Sequence, residues 1–340
     1  MKKIFSTIVV CGSFLVSQAS VLTVSNNANS PGQYTNLQTA IDSASPGDSI
    51  YVHGSTTSYG NVTVKKALSF FGTGHNPNKS NTLVAQVGII QLDSLSSTSG
   101  ASGTRIIGFK VNRISGYSGT GGTKNIYISR NYFISGGTKI TITGSNWIIE
   151  NNIINSSSIN VNNKDNIIIR NNIFDNANIN TSNQTTVLIS NNIFLASFGS
   201  ALSIVSNALI TNNIFSGATP KASGVDANNF SNNITYQTSY DTIPFGTNIG
   251  SGNFVAQNPQ FTNVPSNSFS YSYDFTLSPI SLGKNAGTDG TDIGVYGGNK
   301  PFVDMTGSPS IPQVKNVTIL NPVIPVGDSL RVIIKAKKQN

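Results

Sequence analysis

Between residues 126 and 235 the chain alternates apolar and small polar positions in short bursts, and burst after burst runs into a pair of asparagines. Asn151-Asn152-Ile153-Ile154, Asn171-Asn172-Ile173-Phe174, Asn191-Asn192-Ile193-Phe194, Asn212-Asn213-Ile214-Phe215 and Asn232-Asn233-Ile234-Thr235 are versions of one phrase. A worn copy, Asn131-Tyr132-Phe133-Ile134, precedes them. The leading asparagines stand at 131, 151, 171, 191, 212 and 232, in steps of 20, 20, 20, 21 and 20 residues. A period this short leaves no room for a helix pair. It points to a solenoid with short strands in every turn.

Aligning the copies yields columns. Tyr127, Trp147, Ile167, Val187 and Ala208 lie four positions before the leading asparagine; Ser129, Ile149, Ile169, Ile189 and Ile210 lie two before it. Alternate residues of a strand share a face, so these columns predict one inward face. Ile134, Ile154, Phe174, Phe194 and Phe215 form another apolar column after the corner. A further strand is predicted in each turn from the pairs Ile140/Ile142, Ile159/Val161, Ile179/Thr181 and Leu202/Ile204. Parallel strands about 4.8 Å apart would stack each column into a ladder. Asparagine tolerates the left-handed backbone of a sharp bend, and stacked amides can bond along the coil. Asn131, Asn151, Asn171, Asn191, Asn212 and Asn232 are therefore expected as a structural ladder at a corner.

Between the inward columns runs an outward one: Ile128, Ile148, Ile168, Leu188 and Leu209. Five stacked aliphatics are unusual on a wet face. They are expected either to lie beneath another segment, with the chain after Pro301 as the occupant, or to form a binding stripe.

Outside the repeats, Tyr34 to Ile41 carries a helical stripe at 37, 40, 41 and 44, with Thr35 as the expected N-cap. Strands are expected at Ser49-Ile50-Tyr51-Val52 and around Leu68 to Gly74. Later come Asn258-Pro259-Gln260-Phe261, Asp274-Phe275-Thr276-Leu277-Ser278-Pro279 and Asp292-Ile293-Gly294-Val295-Tyr296-Gly297-Gly298. With the repeats, these stretches resemble the right-handed parallel β-helix, or pectin-lyase-like, superfamily as found in secreted bacterial proteins of Bacteroidota type. The resemblance spans roughly residues 30–300 and implies an all-β solenoid with an N-terminal capping helix. Residues 1–19 read as a signal peptide, 20–300 as the coil, and 301–340 as a small C-terminal β appendage with a turn at Pro325 to Ser329.

Lys2 and Lys3, the apolar run Ile4 to Val16 and Ser17-Gln18-Ala19 have the form of an export signal with its cleavage site. An extracellular, cell-surface or periplasmic location is expected. Cys11, the one cysteine, falls inside that segment, so the exported chain would carry neither disulfide nor thiolate. No segment approaches the ~20 apolar residues of a membrane span. The net charge of +8 shrinks once the ends are set aside: without Lys2, Lys3, Lys315, Arg331, Lys335, Lys337, Lys338 and Asp328, 14 bases face 12 acids. That is no nucleic-acid footprint, which needs clustered bases on one face.

Most characterised members of the resembled superfamily cut polysaccharides, and the residues for that are sparse. Glycoside hydrolysis generally needs two carboxylates about 5–9.5 Å apart. Glu150 is the sole glutamate, and Asp165 and Asp226 share a column three turns apart, about 14 Å. His53 and His75 stand alone near the N-terminal end and read as structural. Arg130, Glu150 and Arg170 precede the corner on successive turns and are the weak catalytic candidates, since lyases of the resembled fold use an Arg or Lys base. No metal site is expected, and no cofactor. Ca²⁺ enters only with the lyase reading, and no cluster of acidic residues for it is visible. Two readings follow: a non-catalytic extracellular protein that binds a polysaccharide or cell-surface component, or a polysaccharide lyase acting on uronic-acid-containing glycans. An ice-binding surface would want a flat threonine array, and the outward residues are too mixed. The sequence leaves the oligomeric state open.

Overall fold

The computed structural model describes residues 19–337 apart from 80–81, 94–99, 118, 120–121, 135, 182–185, 198 and 304. The export-signal reading of residues 1–19 thus rests almost wholly outside the described residues. The chain is a parallel β-solenoid. Each turn climbs one wall, bends, climbs a second and crosses a third. The first wall is a ten-stranded parallel sheet running from Val21–Val24 to Asn229–Ser231. The second and third join in one thirteen-stranded sheet because the strand Lys110–Ser115 spans both: Val111 pairs with Phe133 on one and Ile114 with Ile140 on the other.

The inward columns form a continuous core. Ile149, Ile169, Ile189 and Ile210 are fully buried, as are Phe174, Phe194 and Phe215, whose rings stack at 4.5 and 5.0 Å between centroids. The helix Leu37–Ser43 buries Leu37, Ala40, Ile41 and, just beyond it, Ala44, as its stripe requires. Its cap is Asn36, not Thr35: Asn36 Oδ1 accepts the Thr39 amide at 3.0 Å, satisfying an otherwise orphaned donor of the first turn.

The asparagine pair divides its labour, and the expected ladder moves by one residue. Arg130, Asn151, Asn171, Asn191, Asn212 and Asn232 hold φ between 51° and 58°. They are the bend itself, with side chains turned outward. The amide ladder runs through their neighbours, Asn131, Asn152, Asn172, Asn192, Asn213 and Asn233, and ends on Asn253, which follows the left-handed Gly252. Asn172 shows the pattern. Its Oδ1 accepts the Asn152 amide at 2.9 Å, and its Nδ2 donates to Ile149 O, Arg170 O and Asn192 Oδ1 at 2.9, 2.8 and 3.1 Å. A corner removes backbone groups from both sheets, and none can be left unpaired in a dry core. The inner carboxamide supplies those bonds. Asn131 belongs to this inner column, so the first step is 21 residues and the whole first copy shifts. Phe133, not Ile134, fills the aromatic column, and Ile126 and Ile128 take the inward places expected of Tyr127 and Ser129. In the third wall, Ile204 bends outward at φ 49° and 43% exposure while Val205 enters the core.

A second, smaller core lies outside the coil. The residue after each inner asparagine points outward, and Ile153, Ile173, Ile193, Ile214 and Ile234 are nonetheless almost fully buried. Phe275, Leu277, Ile293, Val295 and Phe302 cover them, at about 1.5–3 kcal/mol for each buried aliphatic. Gly294 makes the approach possible: at φ 92°, its Cβ would come within 2.8 Å of Ile214 Cδ1. The outward asparagines tie the cover down. Asn171 Nδ2 donates to Val295 O and Gly297 O, each at 2.9 Å, and Asn232 Nδ2 donates to Ala286 O at 2.8 Å.

The C-terminal chain therefore does dock on an aliphatic column, but on the second wall, and it is the stretch before Pro301 that does most of it. The strands Gln313–Ile319 and Val332–Lys337 pair only with each other, in an antiparallel hairpin whose residues 316–320 and 331–336 are all exposed. They do not cover the first-wall stripe.

The two asparagine columns should respond differently to substitution. Asn171→Gly keeps the bend and loses two bonds to the cover, for about 1–2 kcal/mol in urea unfolding. Asn172→Ala leaves several buried backbone groups unpaired and should cost about 3 kcal/mol or more. Equal or reversed costs would contradict the division of labour.

Candidate functional site

Where the chain leaves the cover it crosses back over the first wall. Residues 299–303 and 305–311 form a strap, pinned where Thr306 O accepts the amides of His75 and Asn76 at 2.9 and 3.2 Å and where Arg130 Nη1 donates to Ser308 O at 2.8 Å. Gly74 admits it: with φ 83°, its Cβ would lie 2.5 Å from Thr306 O. Beneath the strap is a cleft of about 330 Å³, walled by Phe71, Arg105, Tyr127, Arg130, Glu150 and Asn151 on the coil and by Lys300 and Val303 on the strap.

The strand registers place these side chains. Glu150 pairs with Ser129 on one side and Arg170 on the other, so Glu150 and Arg170 stack while Arg130 sits one residue on, in the bend. The expected Arg-Glu-Arg stack is thus a pair. Glu150 is 2% exposed. Its Oε2 meets Arg170 Nε and Nη2 at 2.7 and 2.6 Å, and its Oε1 accepts the Tyr127 hydroxyl at 2.6 Å. Both guanidinium nitrogens share one carboxylate oxygen, and the charge on each partner makes these bonds short and stronger than neutral ones. Burial, and then the Glu150 charge beside it, push the Tyr127 phenol up to about 12. Arg105 lies over the Tyr127 ring, 4.9 Å from its centroid.

Three cations line the cleft, Arg105, Arg130 and Lys300, against one carboxylate that Arg170 already neutralises. Asn151 Oδ1 is buried with no hydrogen-bond partner, beside them. The arrangement suits a ligand with an anionic group and a hydroxyl donor. Tyr127 and Glu150 are unsuited to abstract a proton, the phenol being raised by burial and the carboxylate being bonded to Arg170 and Tyr127, so a base here would have to be one of the cations Arg105, Arg130 or Lys300. Ca²⁺ does not fit either: such a site wants six to eight oxygens, several of them carboxylates, and this one offers a single committed carboxylate. Among the described residues no three His, Cys, Asp or Glu side chains gather as a metal site.

The aliphatic stripe leads into this cleft. Its column reads Arg105, Tyr127, Ile148, Ile168, Leu188, Leu209 along the first wall. Ile128 is not a member, being fully buried in the core. Ile148, Ile168 and Leu188 are half-buried and Leu209 is 44% exposed. His75 proves to be a joint between coil and cover. Its Nδ1 lies 2.9 Å from the Tyr271 hydroxyl, and burial, with Lys79 nearby, lowers it to about 3. Sequence reasoning missed Arg105 and Lys300 because the strap that brings Lys300 to Arg105 is more than 120 residues further along the chain, and no periodicity announces it.

No protein-family model matches the chain, and no curated protein does. Among solved structures it is similar to the crystal structure of pectate lyase Pel9A, at 14% identity and a TM-score of 0.37, over 86% of this chain and 96% of that one.

A double-mutant cycle tests the buried pair. Glu150→Ala and Arg170→Ala should each destabilise, and the double variant should be less unfolded than their sum by about 1–3 kcal/mol. Strict additivity would mean the two side chains do not act as a unit. No helix among the described residues is long and apolar enough to cross a membrane, and the chain is a parallel β-helix by its own strand pairing.

Proposed function

We propose that this is an exported, non-catalytic binding protein, and that the cleft under the strap holds an anionic group of a polysaccharide or cell-surface component. The excess of cations in the cleft carries this reading: Arg105, Arg130 and Lys300 face a space whose one carboxylate is spoken for. Cations held on a rigid sheet and a strap need little reordering to meet an anion, which favours affinity. The lyase alternative finds in Arg105, Arg130 and Lys300 both charge neutralisation and the residue types its base would need, but Tyr127 and Glu150 are bonded to each other and supply no second proton-transfer group.

The test is calorimetric titration of the full chain with acidic and neutral polysaccharides across a salt series, alongside ultraviolet detection of unsaturated chain ends. An acidic polymer should bind without being cut, more weakly as salt rises. Arg105→Ala and Lys300→Ala should each weaken it about tenfold. Unsaturated ends appearing with time would return the lyase reading; binding indifferent to both variants would remove the cleft from the function.

A further inference from the structure

A second cleft, of about 280 Å³, opens on the far side of the cover, between the last turns of the second wall and the stretch where the chain leaves the coil. Ser216, Tyr236 and Gln237 line it from the coil; Asn258, Gln260, Phe261 and Asn267 line it from the cover. No charged side chain is among its lining residues. Its chemistry is the opposite of the cationic cleft: carboxamides, hydroxyls and an aromatic ring.

The polar groups are partly spent on one another, and what remains is informative. The Tyr236 hydroxyl oxygen accepts from Gln237 Nε2 at 3.1 Å and Asn258 Nδ2 at 3.3 Å. Both lone pairs are thereby used, and its own hydrogen is left as a donor. Asn258 Oδ1 accepts the Gln260 amide at 2.8 Å and Asn267 Oδ1 accepts Ser216 Oγ at 2.7 Å, which leaves Asn267 Nδ2 to donate. Gln237 Oε1 and the whole Gln260 carboxamide make no hydrogen bond to the described residues. Both glutamines hold left-handed backbone, at φ 53° and 55°, positions that this coil elsewhere gives mostly to asparagine or glycine. A long side chain there is uncommon, and such outliers gather at functional sites. Phe261, Val264, Pro259 and Pro265 add an apolar lining.

A carboxamide offers a donor and an acceptor side by side, and neighbouring sugar hydroxyls present the complement. The volume falls just below the usual range for small-ligand sites, about 300–1,000 Å³, which suits a sugar ring better than a larger body. We propose that this cleft is a second binding site, for an uncharged sugar whose hydroxyls are read by Tyr236, Gln237, Gln260 and Asn267. It is independent of the cationic cleft, which stands or falls by its own test.

The experiment is saturation-transfer NMR on the full chain with glucose, galactose, mannose and N-acetylglucosamine, at high salt so that the cationic cleft is screened. Gln237→Gly and Gln260→Gly remove the carboxamides while glycine accepts the positive φ without strain, so the fold is kept. At least one neutral sugar should bind, at an affinity unchanged by salt or by Arg105→Ala. The double glycine variant should weaken it about tenfold or more, and Tyr236→Phe should weaken it also. The proposal is overturned if no sugar in the set binds. It is equally overturned if binding survives the double variant, or vanishes with salt and with Arg105→Ala.

Discussion

The structure depends on how a parallel coil turns a corner inside its own core. Each turn must bend between the first and second walls, and at the bend the backbone leaves both sheets. Water cannot reach the exposed amides and carbonyls there, so something of the chain's own must bond them. The fully buried carboxamides of Asn152, Asn172, Asn192, Asn213 and Asn233 do so, each receiving the preceding amide and returning two hydrogens. Neither aspartate nor glutamine would serve as well, the first lacking the donors and the second the reach. The neighbouring outward asparagine supplies the left-handed backbone and then holds the cover.

From this the placement of both clefts follows. The bend fixes the phase of every column, so the residue after the inner asparagine must point outward, and it is aliphatic in every copy from Ile153 to Ile234. An outward aliphatic column needs a cover, and the cover must enter and leave. Where it leaves, the strap crosses Arg105, Tyr127 and Arg130; where it enters, it passes Ser216, Tyr236 and Gln237. The regular coil is scaffold. Its candidate chemistry sits at the seams with the irregular chain.

That division explains what could be read in the sequence. The period, the walls, the aromatic stack and the capping helix were legible because solenoid contacts repeat locally, one turn to the next. The phase of the first copy was not: Asn131 stands beside Arg130, and only the strand pairing shows that the arginine occupies the bend. The cover escaped for a related reason. An Asn-Asn-Ile-Phe phrase contains two adjacent apolar residues, and alternation alone does not say that the outer one is buried. Of the candidate residues, Glu150 and Arg170 were found by their column and Asn151 as their neighbour at the corner, while Arg105 and Lys300 meet them only through the fold. The hairpin at 313–337 reads correctly as a β appendage, yet its exposed aliphatics carry no mark of where they lie.

The amide ladder can be tested without changing a residue. Each ladder amide bonds to a side-chain oxygen on the next turn, not to a strand, and hydrogen exchange reports the free energy needed to break it. The backbone amides of Asn152, Asn172, Asn192 and Asn213 should exchange only through global unfolding, as slowly as Ile149 and Ile169 in the adjoining strands. Exchange at the rate of the exposed bends in the third wall would mean that the corner opens locally, and the ladder would no longer account for the coil.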